Sequence, residues 1–125
     1  MEVGKILGEG EGEVQELIDC CDMACGMSRK IGGQVFPSER KNHMMIENWN
    51  PLGIIGVISA FNFPNAVYGW NMAIALICGD LIMWKGAPTT PLVSIVTTRI
   101  IHEVFERNNV PKGVCTLLCS GTEIG

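Results

Sequence analysis

From residue 51 onward, short apolar runs alternate with longer amphipathic ones. The run Ile54–Pro64, IIGVISAFNFP, is β-branched and stops abruptly at Phe61-Asn62-Phe63-Pro64. Such a run, bounded by Gly53 and a proline, predicts a buried parallel strand over Gly53–Ala60. Asn65–Cys78 predicts a helix, apolar most of the way round and so covered on both sides. Gly79-Asp80 breaks it. Leu81–Trp84 predicts a second strand, ended by Lys85-Gly86. Thr90-Pro91 reads as an N-cap with proline at the first helical position. It opens an amphipathic helix, Pro91–Arg107, with an apolar stripe at Leu92, Ile95, Val96, Ile100 and Val104; Glu103, Glu106 and Arg107 are expected to face water. Gly113–Leu118 predicts a third strand, followed by a glycine-containing turn, Ser120–Gly125. The order β-α-β-α-β with short connections predicts an α/β fold: a parallel sheet with right-handed crossovers.

The part before residue 51 is less regular. Val14–Arg29 predicts a helix, with Val14, Leu17, Ile18, Cys21 and Cys25 at helical spacing. Ahead of it, Gly4, Gly8, Gly10 and Gly12 alternate with Glu9, Glu11 and Glu13. Interleaved carboxylates repel phosphate and no strand precedes them, so this stretch reads as a flexible, solvated lead-in, not a phosphate loop. Phe36-Pro37-Ser38 opens an irregular polar segment. Lys41–Asn50 then predicts a strand outside the parallel sheet, one that needs cover, for example from another subunit.

Composition narrows the function classes. The 125 residues suffice for one domain, and 47% of them are apolar, enough for a core. A formal charge of −4 without a Lys/Arg cluster argues against nucleic acid or an anionic membrane as partner. The six cysteines contain no CxxC pair. Cys21 and Cys25 share a helical face, but His43 and His102 are distant, so core packing is expected there and no metal site. A reducing compartment is the simpler reading, and the first residues lack the basic and apolar regions of a signal peptide. Ala66–Trp84 has the length of a membrane span. Asp80 would cost roughly 2.5–3.5 kcal/mol near a bilayer centre, and Gly79-Asp80 reads as a turn between two elements.

Parallel strands bring Asn62, Lys85 and the turn Ser120–Gly125 to one edge of the sheet, where α/β proteins bind ligands. Two of these positions stand at or just before helix N-termini, which favour anions. An amide, a cation and a glycine turn on one rim suggest a nucleotide or another phosphate-bearing ligand. Plainer readings stand beside this one. Asn62 caps a helix, Lys85 is a solvated lysine, Gly121 and Gly125 form a turn, and Trp70 is core. No Ser/His/Asp arrangement is legible.

The strings SAFNFPNAVYGWNMAIALICGDLIMWKGAPTTPL, MEVGKIL and ERNNVP resemble the aldehyde dehydrogenase superfamily, and within it the antiquitin-like branch known for α-aminoadipic semialdehyde dehydrogenase. The resemblance covers essentially the whole chain. It implies a partial Rossmann-like NAD-binding domain over residues 1–125, with 38–50 joining an oligomerisation extension and the catalytic domain absent. It implies that Asn62 supplies an oxyanion-hole amide for a cysteine thiohemiacetal on the way to a thioester and carboxylic acid. Ser59, Ala60 and Phe61 match backbone along the cofactor, Lys85 the lysine on the adenine-side ribose, and Gly121 and Gly125 the glycine loop beside the adenosine. Phe63, Val67 and Trp70 match the aldehyde tunnel. Pro88 replaces a glutamate that many relatives carry three residues after the lysine; NAD remains the expected cofactor, with NADP less excluded. The nucleophilic cysteine and general-base glutamate of the family lie beyond Gly125, so the chain reads as an internal fragment, inactive alone, of a homotetrameric cytoplasmic or mitochondrial enzyme acting on a small aldehyde. The competing expectation is a non-catalytic nucleotide-binding or interaction module.

Overall fold

The computed structural model describes residues 2–124. Helix α1 (Leu7–Met27) is followed by strands β1 (Val35–Pro37) and β2 (Met44–Ile46), which pair antiparallel as a separate ribbon. The β-α-β-α-β unit follows: β3 (Ile54–Ile58), α2 (Ala66–Ile77), β4 (Leu81–Lys85), α3 (Pro91–Arg107) and β5 (Cys115–Leu118). Its three strands are parallel in the order β3-β4-β5. The α/β fold and the five-element rhythm stand as the sequence predicts. Gly79, at φ 84°, takes the left-handed turn that ends α2 and starts β4. The apolar stretch Ala66–Trp84 is thus a helix and a strand. No helix among the described residues is long and apolar enough to cross a membrane.

Side chains alternate across the sheet. Ile55, Val57, Ile82, Trp84, Cys115 and Leu117 point to one face, where Tyr68, Met72 and Ala75 of α2 and Ile101 and Phe105 of α3 pack on them. Tyr68 stacks on Trp84 with ring centroids 3.7 Å apart and planes 7° from parallel. Helix α1 lies on the outer side of α2, so α2 is covered on both sides. The two helices approach closely at Gly69: a Cβ there would stand 2.7 Å from Leu17 Cγ.

Four local expectations are corrected. The glycine–glutamate stretch is helical from Leu7, because its outer face is in water and Glu13 anchors it inward. Cys25 is exposed; Ala24 takes the buried place on α1, and Cys21 packs partly against the core. The segment after Val35 is a two-stranded ribbon with a first strand, Val35–Pro37, that the irregular reading misses. In α3 the fully buried residues are Ser94, Thr97 and Thr98, on the face that Ile101 and Phe105 continue, while Leu92, Val96, Ile100 and Val104 are exposed. The reason is close approach. A Cβ on Gly86 would collide with Ser94 Oγ, so only small side chains fit beneath the end of β4. Their hydroxyls bond to the carbonyls four residues back, Ser94 to Thr90 at 3.1 Å and Thr98 to Ser94 at 2.8 Å.

Candidate active-site and cofactor rim

The register fixes the rim. Ile58 pairs with Lys85, and Lys85 with Leu118, so all three strands end at one level. The loops that leave this level carry Ser59 to Asn62, Lys85 with Gly86, and Ser120 with Gly121. The structure therefore brings the predicted amide, cation and glycine turn to the same edge. Gly125, also predicted there, lies outside the described residues.

Lys85 is only 8% exposed. The ion pairs among the described residues join Lys5 to Glu13, Arg107 to Glu103 and Lys112 to Glu106. Lys85 belongs to none of them. Little of Lys85 reaches solvent, so it is not an ordinary surface lysine, and the nearby Glu123 carboxyl feels its charge. Asn62 is exposed in an irregular loop before α2. Ser59 is buried. Its hydroxyl accepts a 2.8 Å bond from Trp84 Nε1, and its N–H donates 3.1 Å to the carbonyl of Lys85. These two bonds tie the start of the Asn62 loop to the strand that carries Lys85. Ala60 and Phe61 are exposed beyond it. Phe63 and Trp70 are part-exposed at 39% and 40%, and Val67, one turn before Trp70 on α2, is half-buried.

A cavity of about 280 Å³ opens between the loops after β4 and β5. Gly86, Pro88, Pro91, Ser94, Cys119 and Ser120 are among its walls. Small-molecule sites usually enclose about 300–1,000 Å³, so this cavity is at the small end of that range. Gly121 donates its N–H to Glu123 Oε1 at 3.1 Å, and the Ser120 hydroxyl donates to the same oxygen. The Ser120 hydroxyl first, then the N–H groups of Glu123 and Gly121, and nearby Lys85 hold the Glu123 carboxyl below its ordinary range.

Sequence reasoning expects the helix N-termini behind the rim to be open to a ligand anion. Protein carboxylates already fill both. Glu13 Oε1 accepts from the N–H groups of Asn65 at 2.6 Å and Ala66 at 3.1 Å, at the start of α2. Glu2 accepts from Leu92 at 2.9 Å and Val93 at 2.8 Å, at the start of α3. Thr90, the expected side-chain cap, makes no capping bond. No signal within either helix could have revealed these partners, since they come from 53 and 91 residues away.

Neither Cys21 nor Cys115 stands as an activated nucleophile. Burial pushes the Cys115 thiol up, and the neighbouring Tyr68 hydroxyl only partly opposes this. Among the described residues, no group of three or more His, Cys, Asp or Glu side chains could hold a metal ion.

The sequence profile of the aldehyde dehydrogenase family matches residues 1–125. The chain belongs to this family. It is 62% identical over its full length to aldehyde dehydrogenase family 7 member B4 of Arabidopsis thaliana, and 59% identical to the alpha-aminoadipic semialdehyde dehydrogenase of Bos taurus. It spans only 25% and 23% of those two proteins. Among solved structures, lactaldehyde dehydrogenase from Escherichia coli superposes with a TM-score of 0.88 at 29% identity, over 98% of this chain and 25% of that one. Glyceraldehyde-3-phosphate dehydrogenase GapN from Methanocaldococcus jannaschii, complexed with NADP, gives 0.86 at 30% identity, over 93% of this chain and 25% of that one. The segment, with its three loops at one rim, thus covers about a quarter of the length of these relatives.

Proposed function

We propose that this aldehyde dehydrogenase segment is the partial NAD-binding domain of an enzyme that oxidises an aldehyde, with α-aminoadipic semialdehyde the first candidate, to a carboxylic acid. The observation that carries the reading is Lys85: a side chain only 8% exposed and in no ion pair among the described residues, beside a cavity sized for one end of a dinucleotide. Lys85 would hold the adenine-side ribose hydroxyls. The backbone of Ser59, Ala60 and Phe61 would run beside the cofactor, and Gly121, with Gly125 beyond it, would line the adenosine. Bound NAD supplies the hydride acceptor. Glu123, charged and close enough to Lys85 to feel its field, would repel a 2′-phosphate, which favours NAD over NADP.

Asn62 would donate its side-chain amide to the oxyanion that forms when the aldehyde carbonyl is attacked by a cysteine outside these residues. Phe63, Val67 and Trp70 would flank the aldehyde. The ribbon β1–β2, all of whose positions are exposed, is too short to be stable alone. We assign it, with the rest of 38–50, to subunit contacts in a homotetramer. Six free cysteines, including the adjacent Cys20 and Cys21, fit a reducing cytoplasmic or mitochondrial setting.

The test is aldehyde-dependent NADH formation by the whole protein encoded with this segment. Asn62→Ala is expected to lower kcat by about 10²–10³-fold, the usual loss of one oxyanion donor. Lys85→Ala is expected to raise KM for NAD and abolish tryptophan-to-NADH energy transfer. Nucleotide binding with no aldehyde oxidation would make the segment a binding module instead.

A further inference from the structure

We propose that Glu13 and Lys5 are positioning residues for Asn62, an assignment that rests on the oxyanion reading of that amide. The loop from Ser59 to Asn65 has no regular structure to hold it. The residue at the N-cap position of α2, Asn65, does not hold it either: its side chain makes no capping bond, and its Oδ1 is buried without a partner. The carboxylate of Glu13, 6% exposed, takes over that task from α1 by accepting both first N–H groups of α2. A charged acceptor in a dry site makes short, strong bonds, and the 2.6 Å contact to Asn65 is one.

The other oxygen of Glu13 accepts from Lys5 Nζ at 3.0 Å. That ammonium in turn lies 3.7 Å from the centre of the Phe63 ring, a cation–π distance. One carboxylate–ammonium pair therefore grips the loop at Phe63, the residue after Asn62, and at Asn65, three residues on. With Ser59 tied to β4 at the other end, Asn62 sits on a span fixed at both sides. Lys5 and Glu13 come from the stretch that sequence reasoning leaves as a solvated lead-in, and neither touches the rim cavity.

The experiment uses the whole protein that carries this segment. Glu13→Gln keeps an acceptor for the two amides but drops the charge that holds Lys5; Lys5→Met removes the cation from Phe63. A shift of about 1 Å at a catalytic group costs up to about a hundredfold, so each variant is expected to lower kcat by about tenfold to a hundredfold and to leave KM for NAD unchanged. In an Asn62→Ala background the same replacements are expected to add nothing further, because their effect runs through that amide. Losses that multiply in that background, a kcat unchanged in both single variants, or a loss confined to KM for NAD would each overturn the assignment. If Asn62→Ala itself leaves kcat intact, the oxyanion reading falls first and the assignment with it. Should Glu13→Gln fail to fold, Lys5→Met, at a part-exposed position, decides alone.

Discussion

Glu2, Glu13 and Glu123 are identical in composition and different in use. Glu2 and Glu13 close the N-termini of α3 and α2, while Glu123 folds back on the turn after β5. The stretch of alternating glycine and glutamate looks solvated because Glu9 and Glu11 are indeed outside; only the position 13 carboxylate is drawn in. Glu123 makes a pH prediction. Its carboxyl is held low by the Ser120 hydroxyl, so it stays charged in the folded chain below the range, near 4.3, where an unperturbed glutamate titrates. A lowered folded value means that the contribution is complete above the unfolded value and is lost as pH falls through the folded one. An NMR titration of the Glu123 carboxyl should give a midpoint below that of an unperturbed glutamate, and Ser120→Ala should move it back up.

At the scale of elements, α2 and α3 follow different rules. Helix α2 is clad on both sides, and an all-round apolar sequence says so directly. Helix α3 carries a strong apolar stripe, yet turns Ser94, Thr97 and Thr98, with Ile101 and Phe105, to the sheet. Periodicity measures which residues share a face. It does not know that Gly86 and Ser94 must nearly touch, so it cannot say which face is inner. The α1–α2 contact makes the second prediction. Gly69→Ala places a methyl 2.7 Å from Leu17 Cγ and 2.8 Å from its Cδ1. Overpacking of this kind costs about 1–3 kcal/mol, measurable as a lower urea midpoint with the slope unchanged. Gly12→Ala on the open face of α1 meets nothing within 4 Å and should stabilise, by up to about 1 kcal/mol, as helix propensity requires.

For the molecule as a whole, both helices of the β-α-β-α-β unit lie on one side of the sheet. The other side shows Ile54, Ile58, Leu81 and Met83, with Ile54 and Ile58 two-thirds exposed. On the helix side, an apolar groove of about 540 Å³ between α1 and α3, lined by Val14, Ile18, Leu92 and Val96, is a second such surface. Apolar patches of such extent on a soluble monomer mark interfaces or aggregation sites, and the outer edges of β3 and β5 meet no further strand among the described residues. The purified 125-residue chain should therefore bind a hydrophobic dye and self-associate as its concentration rises. Ile58→Lys, on the open face, should reduce both; a chain that stays monomeric and dye-free would refute this. Sequence alone determined the alternation of strand and helix, the parallel rim, and the positions of Asn62 and Lys85 on it, because short-range periodicity and turn residues are local and the crossover rule leaves few topologies. Only the tertiary structure decided that Lys85 is buried, that α3 presents its hydroxyl face inward, and that Glu2 and Glu13 close helices far along the chain. Each of these is a contact between residues distant in sequence, set by how closely two backbones approach and which charge is left without water.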